Sequence, residues 1–175
     1  MKKKIILVGG AGYIGTVLTD HLLNKGYKVK CIDNLIYEQD DCLSSFFKNK
    51  NYEFINIDIR QKNLLVEHFD VDCSVVLLAG LVGDPISKKY PQINDEINLS
   101  GILNIIEICK EKNIEKLIFT STCSNYGITE NNIKAKEDHN LNPLSLYASA
   151  KVQIEKYLMS INKDSYLKPT ILRFA

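Results

Sequence analysis

Three glycines, spaced three residues apart, end an apolar run near the start of the chain. In IILVGGAGYIG, residues 5–15, the apolar residues are followed by Gly9, and Gly12 and Gly15 lie where a helical pattern begins. Glycine permits a tight turn and lets the backbone approach a ligand or a neighbouring element closely. We therefore expect a strand, a tight turn and a helix that begins near Gly12, with its amides directed toward the turn.

Strand-like and helix-like patterns alternate along the rest of the chain. Continuous apolar runs such as 75–79 predict strands that are buried on both faces, as in a parallel sheet. The predicted strands are 4–10, 28–33, 52–59, 73–80, 116–123 and 167–175, and the predicted helices are 13–25, 41–48, 61–68, 92–111 and 144–161. We expect an α/β fold, a Rossmann-type doubly wound parallel sheet flanked by helices, as one domain over 1–175.

Two segments interrupt the alternation and are predicted to be loops. Residues 80–91 contain VGDP, and residues 125–143 are polar and rich in asparagine. Both follow predicted strands, so we expect them at the carboxyl edge of the sheet, where folds of this class bind ligands.

Composition argues against several classes of function. The 22 basic and 21 acidic residues nearly cancel, which does not suggest a nucleic-acid-binding surface, and no apolar run is long enough to span a membrane. The five cysteines are odd in number and lack any Cys-x-x-Cys pair, which favours reduced thiols in a cytoplasmic protein over disulfides or a metal site. We expect Cys123 to pack rather than to act as a nucleophile.

An acidic residue at the end of the second predicted strand indicates what the glycine loop holds. Asp33 lies 18 residues after Gly15, where a carboxylate can accept hydrogen bonds from ribose hydroxyls and would repel a 2′-phosphate. No lysine or arginine follows in DNLIYEQDD, residues 33–41. This pattern favours NAD over NADP. We assign Tyr13, Ile14 and Asn34 to the same cofactor site.

The end of the third predicted strand supplies a candidate adenine site. Asp58 could hydrogen-bond the adenine ring and Ile59 could pack on it. The alternative is that Asp58 only caps the next helix.

Tyr147 and Lys151 in YASAK lie four residues apart, on one face of a predicted helix. Free tyrosine has a pKa of about 10, and a neighbouring ammonium lowers it. Such a pair is suited to move a proton on or off a hydroxyl while a hydride moves to or from NAD. The spacing is common by chance, but here it follows FTSTCSNYG, residues 119–127, at the end of a predicted strand.

Taken together, these motifs resemble the extended short-chain dehydrogenase/reductase family, in its nucleotide-sugar epimerase/dehydratase branch. The matching stretches are GGAGYIG, Asp33, DIR at 58–60, LLAGLVGDP, INLSGILNIIE, STCSNYG and YASAK. The resemblance implies that Ala79 and Gly80 pass close to the cofactor. It also implies a catalytic set of Asn98, Thr122, Tyr147 and Lys151.

The resemblance implies a shared chemical step on a nucleotide-activated sugar. Tyr147 would take the proton of a sugar hydroxyl while the carbon gives a hydride to NAD, and Thr122 would hydrogen-bond the same oxygen. Lys151 would hold the nicotinamide ribose. An epimerase returns the hydride to the opposite face of the 4-keto sugar. The alternatives are a sugar or carbonyl reductase or dehydrogenase, and a non-catalytic NAD-binding module.

Dehydration is disfavoured. Dehydratases of this branch place Asp-Glu directly after the hydroxyl residue, where this chain has Cys123 and Ser124. A mostly protonated thiol and an alcohol do not readily replace that acid–base pair.

The resemblance also predicts a missing part and a mode of association. In the family, a substrate-binding lobe follows the sixth strand, so we expect this chain to be the cofactor-binding portion of a longer enzyme, with some NAD affinity and little or no epimerase activity. Members commonly dimerise through helices that correspond to 92–111 and 144–161. The spacing of Ile102, Ile105, Ile106 and Cys109 fits either a core or a homodimer interface.

Overall fold

The computed structural model describes residues 3–129 and 134–174, and in these ranges it contains one six-stranded sheet. Every pair of neighbouring strands is parallel, in the order β3-β2-β1-β4-β5-β6. The strands are β1 Lys4–Val8, β2 Lys28–Asp33, β3 Tyr52–Asn56, β4 Cys73–Leu77, β5 Lys116–Thr122 and β6 Lys168–Phe174. The predicted doubly wound fold is confirmed.

The helices cover the sheet between successive strands. They are α1 Tyr13–Asn24, α2 Lys62–Leu65, α3 Asp84–Lys89, α4 Pro91–Asp95, α5 Ile102–Glu111 and α6 Leu146–Ser160. A π-helical stretch, Glu96–Gly101, joins α4 to α5, so the predicted helix 92–111 contains one wider segment. None of the helices in the described part of the chain is long and apolar enough to cross a membrane.

Two local predictions are wrong. In place of the helix predicted at 41–48, the chain forms a 3₁₀ helix, Asp40–Leu43, followed by turns. The turns keep the i to i+3 spacing of hydrogen bonds, since Phe46 N donates to Leu43 O at 2.9 Å. Aspartate and serine compete with a helical backbone, which explains the tighter turns. The segment 80–91, for which the sequence predicts a loop, contains α3, where Pro85 lies in the first turn, a position that needs no amide donor. The predicted loop 125–143 includes 130–133, and the predicted sixth strand includes 175; these residues lie outside the described ranges.

The strand alternation divides the core between the two faces of the sheet. Ile6 and Val8 pack with α5 and α6, whereas Leu7, between them, packs with α1. Ile102, Ile105, Ile106 and Cys109 are fully buried in the first of these clusters. The apolar stripe of α5 is therefore part of the hydrophobic core and not an exposed homodimer surface, the two possibilities that its spacing had left open.

Candidate active site

The glycine loop joins β1 to α1 at the carboxyl edge of the sheet. Gly9 has a φ of +82°, and a Cβ there would lie 2.5 Å from Ala79 Cα. A Cβ on Gly15 would lie 2.6 Å from the carbonyl carbon of Gly10, so α1 packs directly on the turn. Gly12, the residue that precedes α1, is different because only Gly9 O, at 3.6 Å, lies near its Cβ position. Gly9 and Gly15 thus serve the turn, and Gly12 leaves open space.

A cleft of about 390 Å³ lies at this edge. This volume is within the usual range for small-molecule sites. It is lined by the cofactor residues predicted from the loops after β1, β2, β3 and β4, namely Gly9, Gly12, Tyr13, Ile14, Gly15, Asp33, Asn34, Asp58, Ile59, Ala79 and Gly80. Further lining residues were not predicted: Ile32, Ile36, Tyr37, Gln39, Ile57, Leu78, Leu81, Val82, Ile97 and Thr120. Most of these are apolar, and nothing in their spacing distinguishes them from core residues.

The carboxylate of Asp33 is fixed by the backbone on both sides. Its Oδ2 accepts a hydrogen bond from Ala11 N at 3.0 Å, and its Oδ1 accepts one from Leu35 N at 2.9 Å. Because each carboxylate oxygen has two acceptor positions, each keeps one for another donor. Asp33 therefore presents an oriented acceptor pair to the cleft, as a ribose diol requires.

The cleft also contains a buried amide oxygen that lacks a partner in the described part of the chain. Gln39 Oε1 is buried, and Gln39 lines the cleft. A buried acceptor without a donor is costly, which indicates that a ligand here would supply one. The open space at Gly12, the acceptors of Asp33 and this oxygen all fit a polar dinucleotide such as NAD.

Asp58 is engaged by protein groups on both oxygens. Arg60 N and Nε donate to its Oδ1 at 2.9 and 3.0 Å, and Arg60 Nη2 and Asn34 Nδ2 donate to its Oδ2 at 2.8 and 2.9 Å. The hydrogen bonds from Arg60 hold the pKa of Asp58 below its ordinary value. All four acceptor positions are used, so an adenine amino group could bond to Asp58 only by exchange with one of these donors. The adenine role stays a prediction.

Asn98 lies beside the cleft rather than in its lining. Its side chain is fully buried within the π-helical stretch, where its Oδ1 accepts from Leu81 N at 2.8 Å and its Nδ2 donates to Leu81 O at 2.9 Å. The same Nδ2 donates to Asn94 Oδ1 at 2.8 Å. Asn98 thus holds the loop after β4, and a Cβ on Gly80 would lie 3.0 Å from its Oδ1. The structure gives it a positioning role for the loop.

The predicted catalytic pair lies at the start of α6. Lys151 is 2% exposed, and its Nζ donates to Thr120 O at 2.9 Å and lies 5.7 Å from the centroid of the Tyr147 ring. Burial lowers the pKa of Lys151 to about 8, and the charge of Glu155 partly opposes this shift. Tyr147 lies in the first turn of α6 and is half-buried.

Thr122 ends β5, two residues beyond the carbonyl that Lys151 binds. Its Oγ1 accepts from Ser124 N at 3.2 Å and caps a 3₁₀ turn, Cys123–Tyr126. Because Thr122 Oγ1 is the acceptor in that bond, its hydroxyl proton remains available for donation to another group. Cys123 is exposed, so the expectation that it packs is wrong, whereas Cys31, Cys73 and Cys109 are buried.

A buried ionic network behind Lys151 was not predicted. Glu155, one turn further along α6, accepts from Asn125 Nδ2 at 2.9 Å and pairs with Arg173 of β6. The sequence signal that could have indicated this network is the four-residue spacing of Lys151 and Glu155, which places them on one face of a helix.

The sequence matches a family model described as the NAD dependent epimerase/dehydratase family over residues 5–175. A putative UDP-glucose 4-epimerase from Methanocaldococcus jannaschii is 31% identical over 172 residues, which cover 98% of this chain and 55% of that protein. The chain thus spans about half the length of this relative.

Two solved structures are also similar. UDP-glucose 4-epimerase of Thermus thermophilus, in complex with NAD, superposes with a TM-score of 0.87 at 30% identity, and the match covers 97% of this chain and 54% of that one. UDP-N-acetylglucosamine 4-epimerase of Methanobrevibacter ruminantium superposes with a TM-score of 0.85 at 32% identity, and the match covers 99% of this chain and 55% of that one.

Proposed function

Since the chain belongs to the NAD-dependent epimerase/dehydratase family, we propose that it is the cofactor-binding portion of a nucleotide-sugar 4-epimerase, an isomerase of carbohydrate metabolism. The observation that carries this proposal is the cleft itself. The oriented carboxylate of Asp33 lies in it, and Thr120, which lines it, binds Lys151 beside Tyr147.

In this proposal the cleft holds the cofactor, and Thr122, Tyr147 and Lys151, which are not among its lining residues, act next to it through Thr120. Asp33 binds the adenosine ribose, and the amides at the start of α1 face the pyrophosphate. Tyr147 takes the proton of a sugar hydroxyl, and Thr122 donates to the same oxygen. Lys151 holds the nicotinamide ribose and, as an ammonium, favours the ionised form of Tyr147. When bound, NAD would supply the hydride acceptor for the sugar carbon.

A first experiment tests the cofactor. Calorimetric titration should give saturable binding of NAD and at least tenfold weaker binding of NADP. Asp33→Ser should narrow that ratio because the carboxylate no longer repels the 2′-phosphate. Asp164→Asn, an exposed change, is the control. A chain that binds neither cofactor at millimolar concentration would contradict the proposal.

A second experiment tests the reaction. UDP-, GDP- and dTDP-sugars are incubated with the NAD-loaded chain, and the products are separated while absorbance at 340 nm is followed. An epimerase regenerates NAD, so we expect no accumulation of NADH and little or no 4-epimer from this portion. Steady accumulation of NADH would favour a dehydrogenase instead. Rapid turnover of any of the sugars would contradict the assignment of this chain as the cofactor-binding portion alone.

The proposal extends to location and assembly. Reduced thiols and the cofactor fit a cytoplasmic enzyme. A homodimer through the helices at 92–111 and 144–161 stays a proposal, and it would have to use residues other than the buried stripe of α5. Light scattering after size-exclusion chromatography measures the state directly.

A further inference from the structure

One hydrogen bond joins two loops that lie on either side of the glycine loop. Val82 N donates to Tyr37 Oη at 3.0 Å. Tyr37 follows β2 and Val82 follows β4, and these two strands flank β1 in the sheet. The bond therefore spans the end of the strand that carries the glycine loop.

The two bonded residues lie at the mouth of the cleft. Tyr37 and Val82 both line it, and they are 46% and 60% exposed. Ile32, which lines the same cleft, is fully buried and belongs to its floor. A bond between exposed lining residues crosses the opening rather than the interior.

The loop that carries Tyr37 has a defined shape. Leu35 and Glu38, on either side of Ile36 and Tyr37, have positive φ values of 55° and 53°. Non-glycine residues adopt this conformation only where their surroundings impose it. Leu35 N donates to Asp33 Oδ1 and Glu38 N donates to Leu35 O at 2.8 Å, so the turn is bonded to the candidate ribose ligand.

The loop that carries Val82 is anchored independently. Leu81, its neighbour, makes both backbone bonds to the buried side chain of Asn98. Gly83, which follows, has a φ of 110° that other residues rarely adopt. Both ends of the Tyr37–Val82 bond are thus held by residues of the candidate site.

We propose that Tyr37 and Val82 form a strap across the cofactor cleft, and that this strap opens each time the dinucleotide enters or leaves. The inference rests on the proposed function, since it requires NAD to occupy this cleft. The bond is neutral and exposed, so its loss changes the opening equilibrium by about 2- to 10-fold. In this proposal the bond forms again over the bound dinucleotide, so it slows entry and exit by the same factor and leaves the affinity unchanged.

The test is stopped-flow fluorescence of NADH binding to the full chain. Tyr37→Phe keeps the ring and removes the hydroxyl, so the association and dissociation rate constants should both rise about 2- to 10-fold. The equilibrium dissociation constant should change less than twofold. Hydrogen exchange at the Val82 amide should quicken while the melting temperature stays the same.

Tyr166→Phe is the matched control. It removes the hydroxyl of an exposed tyrosine just before β6, at the opposite edge of the sheet, and should leave both rate constants as in the wild type.

The outcomes separate the strap from the proposed function. NADH binding by the wild type with unchanged rates in Tyr37→Phe would overturn the strap alone. Weaker affinity at an unchanged association rate would also overturn it, because Tyr37 would then hold the cofactor rather than gate it. Absence of saturable NADH binding by the wild type would overturn the proposed function itself.

Discussion

Arg173 holds Glu155 with two nitrogens of its guanidinium. Nη2 lies 2.7 Å from Oε2, and Nε lies 3.0 Å from Oε1, while the Glu155 side chain is fully buried. Arg173 belongs to β6 and Glu155 to α6, one turn beyond Lys151. Since Asn125 donates to the same carboxylate, the last strand, the helix with the candidate catalytic pair and the loop after β5 meet at one buried charge.

Removal of Arg173 should be strongly destabilising. Arg173→Met leaves the Glu155 carboxylate buried without its cation, and breaking such a pair from one side costs about 3–5 kcal/mol. Urea unfolding followed by circular dichroism measures the loss. Lys62→Met is the control, because Lys62 pairs with Glu107 and Glu111 at the surface and its removal should have little effect. Equal losses in the two variants would show that burial of the pair is not what matters.

Alanine substitutions at Gly12 and Gly15 should have different effects, because the first should weaken NAD binding and the second should destabilise the fold. Gly15→Ala places a Cβ 2.6 Å from backbone atoms of Gly10, which cannot yield, so the melting temperature should fall sharply. Gly12→Ala meets open space, and its φ of −72° suits alanine, so folding should be unchanged. The added methyl group would instead enter the cleft and weaken NAD binding at least tenfold, as measured by calorimetry. A Gly12→Ala variant that binds NAD like the wild type would place the dinucleotide elsewhere.

Substitution of Asn98 should loosen the loop after β4 more than it loosens the rest of the chain. Asn98→Ala removes two bonds to the Leu81 backbone and leaves buried groups unpaired, at a cost of about 2–4 kcal/mol. Hydrogen exchange at Leu81 should quicken, and NAD affinity should fall because Ala79 and Gly80 lose their support. Asn24→Ala, an exposed change on α1, should alter neither. Unchanged exchange at Leu81 would contradict the positioning role.

Because burial lowers the pKa of Lys151, the free energy of unfolding should depend on pH above pH 8. Its pKa is about 8 in the folded state and about 10.4 in the unfolded chain, so between these values the unfolded state binds more protons. The free energy of unfolding of the wild type, relative to Lys151→Met, should therefore rise as pH increases from 8, by about 2 kcal/mol at pH 10. Below pH 8 the difference should be flat. Urea titrations at pH 7, 8, 9 and 10 measure it, and parallel curves would show that Lys151 is not desolvated.

The fold and the glycine loop could be predicted because they depend on local patterns. Gly9, Gly15 and Asp33 occupy positions that the strand–turn–helix geometry fixes, whereas the apolar residues beside them in the cleft could not be told from core residues. Tyr37 and Val82 could not be predicted, since their bond depends on how two loops 45 residues apart are shaped. The helix predicted at 41–48 was wrong because its aspartate and serine side chains compete with the helical backbone and favour tighter turns.

The sequence by itself determined the alternating strands and helices, the parallel sheet and the acidic residue that faces the glycine loop. These follow from apolar periodicity, from the backbone freedom of glycine and from the charge of one side chain at a strand end. Tertiary structure alone decided that the stripe of α5 is core, that Asn98 holds a loop and that Arg173 neutralises a carboxylate behind Lys151. Burial and pairing of these groups depend on which distant segments the sheet brings together, and short-range sequence patterns do not determine those long-range contacts.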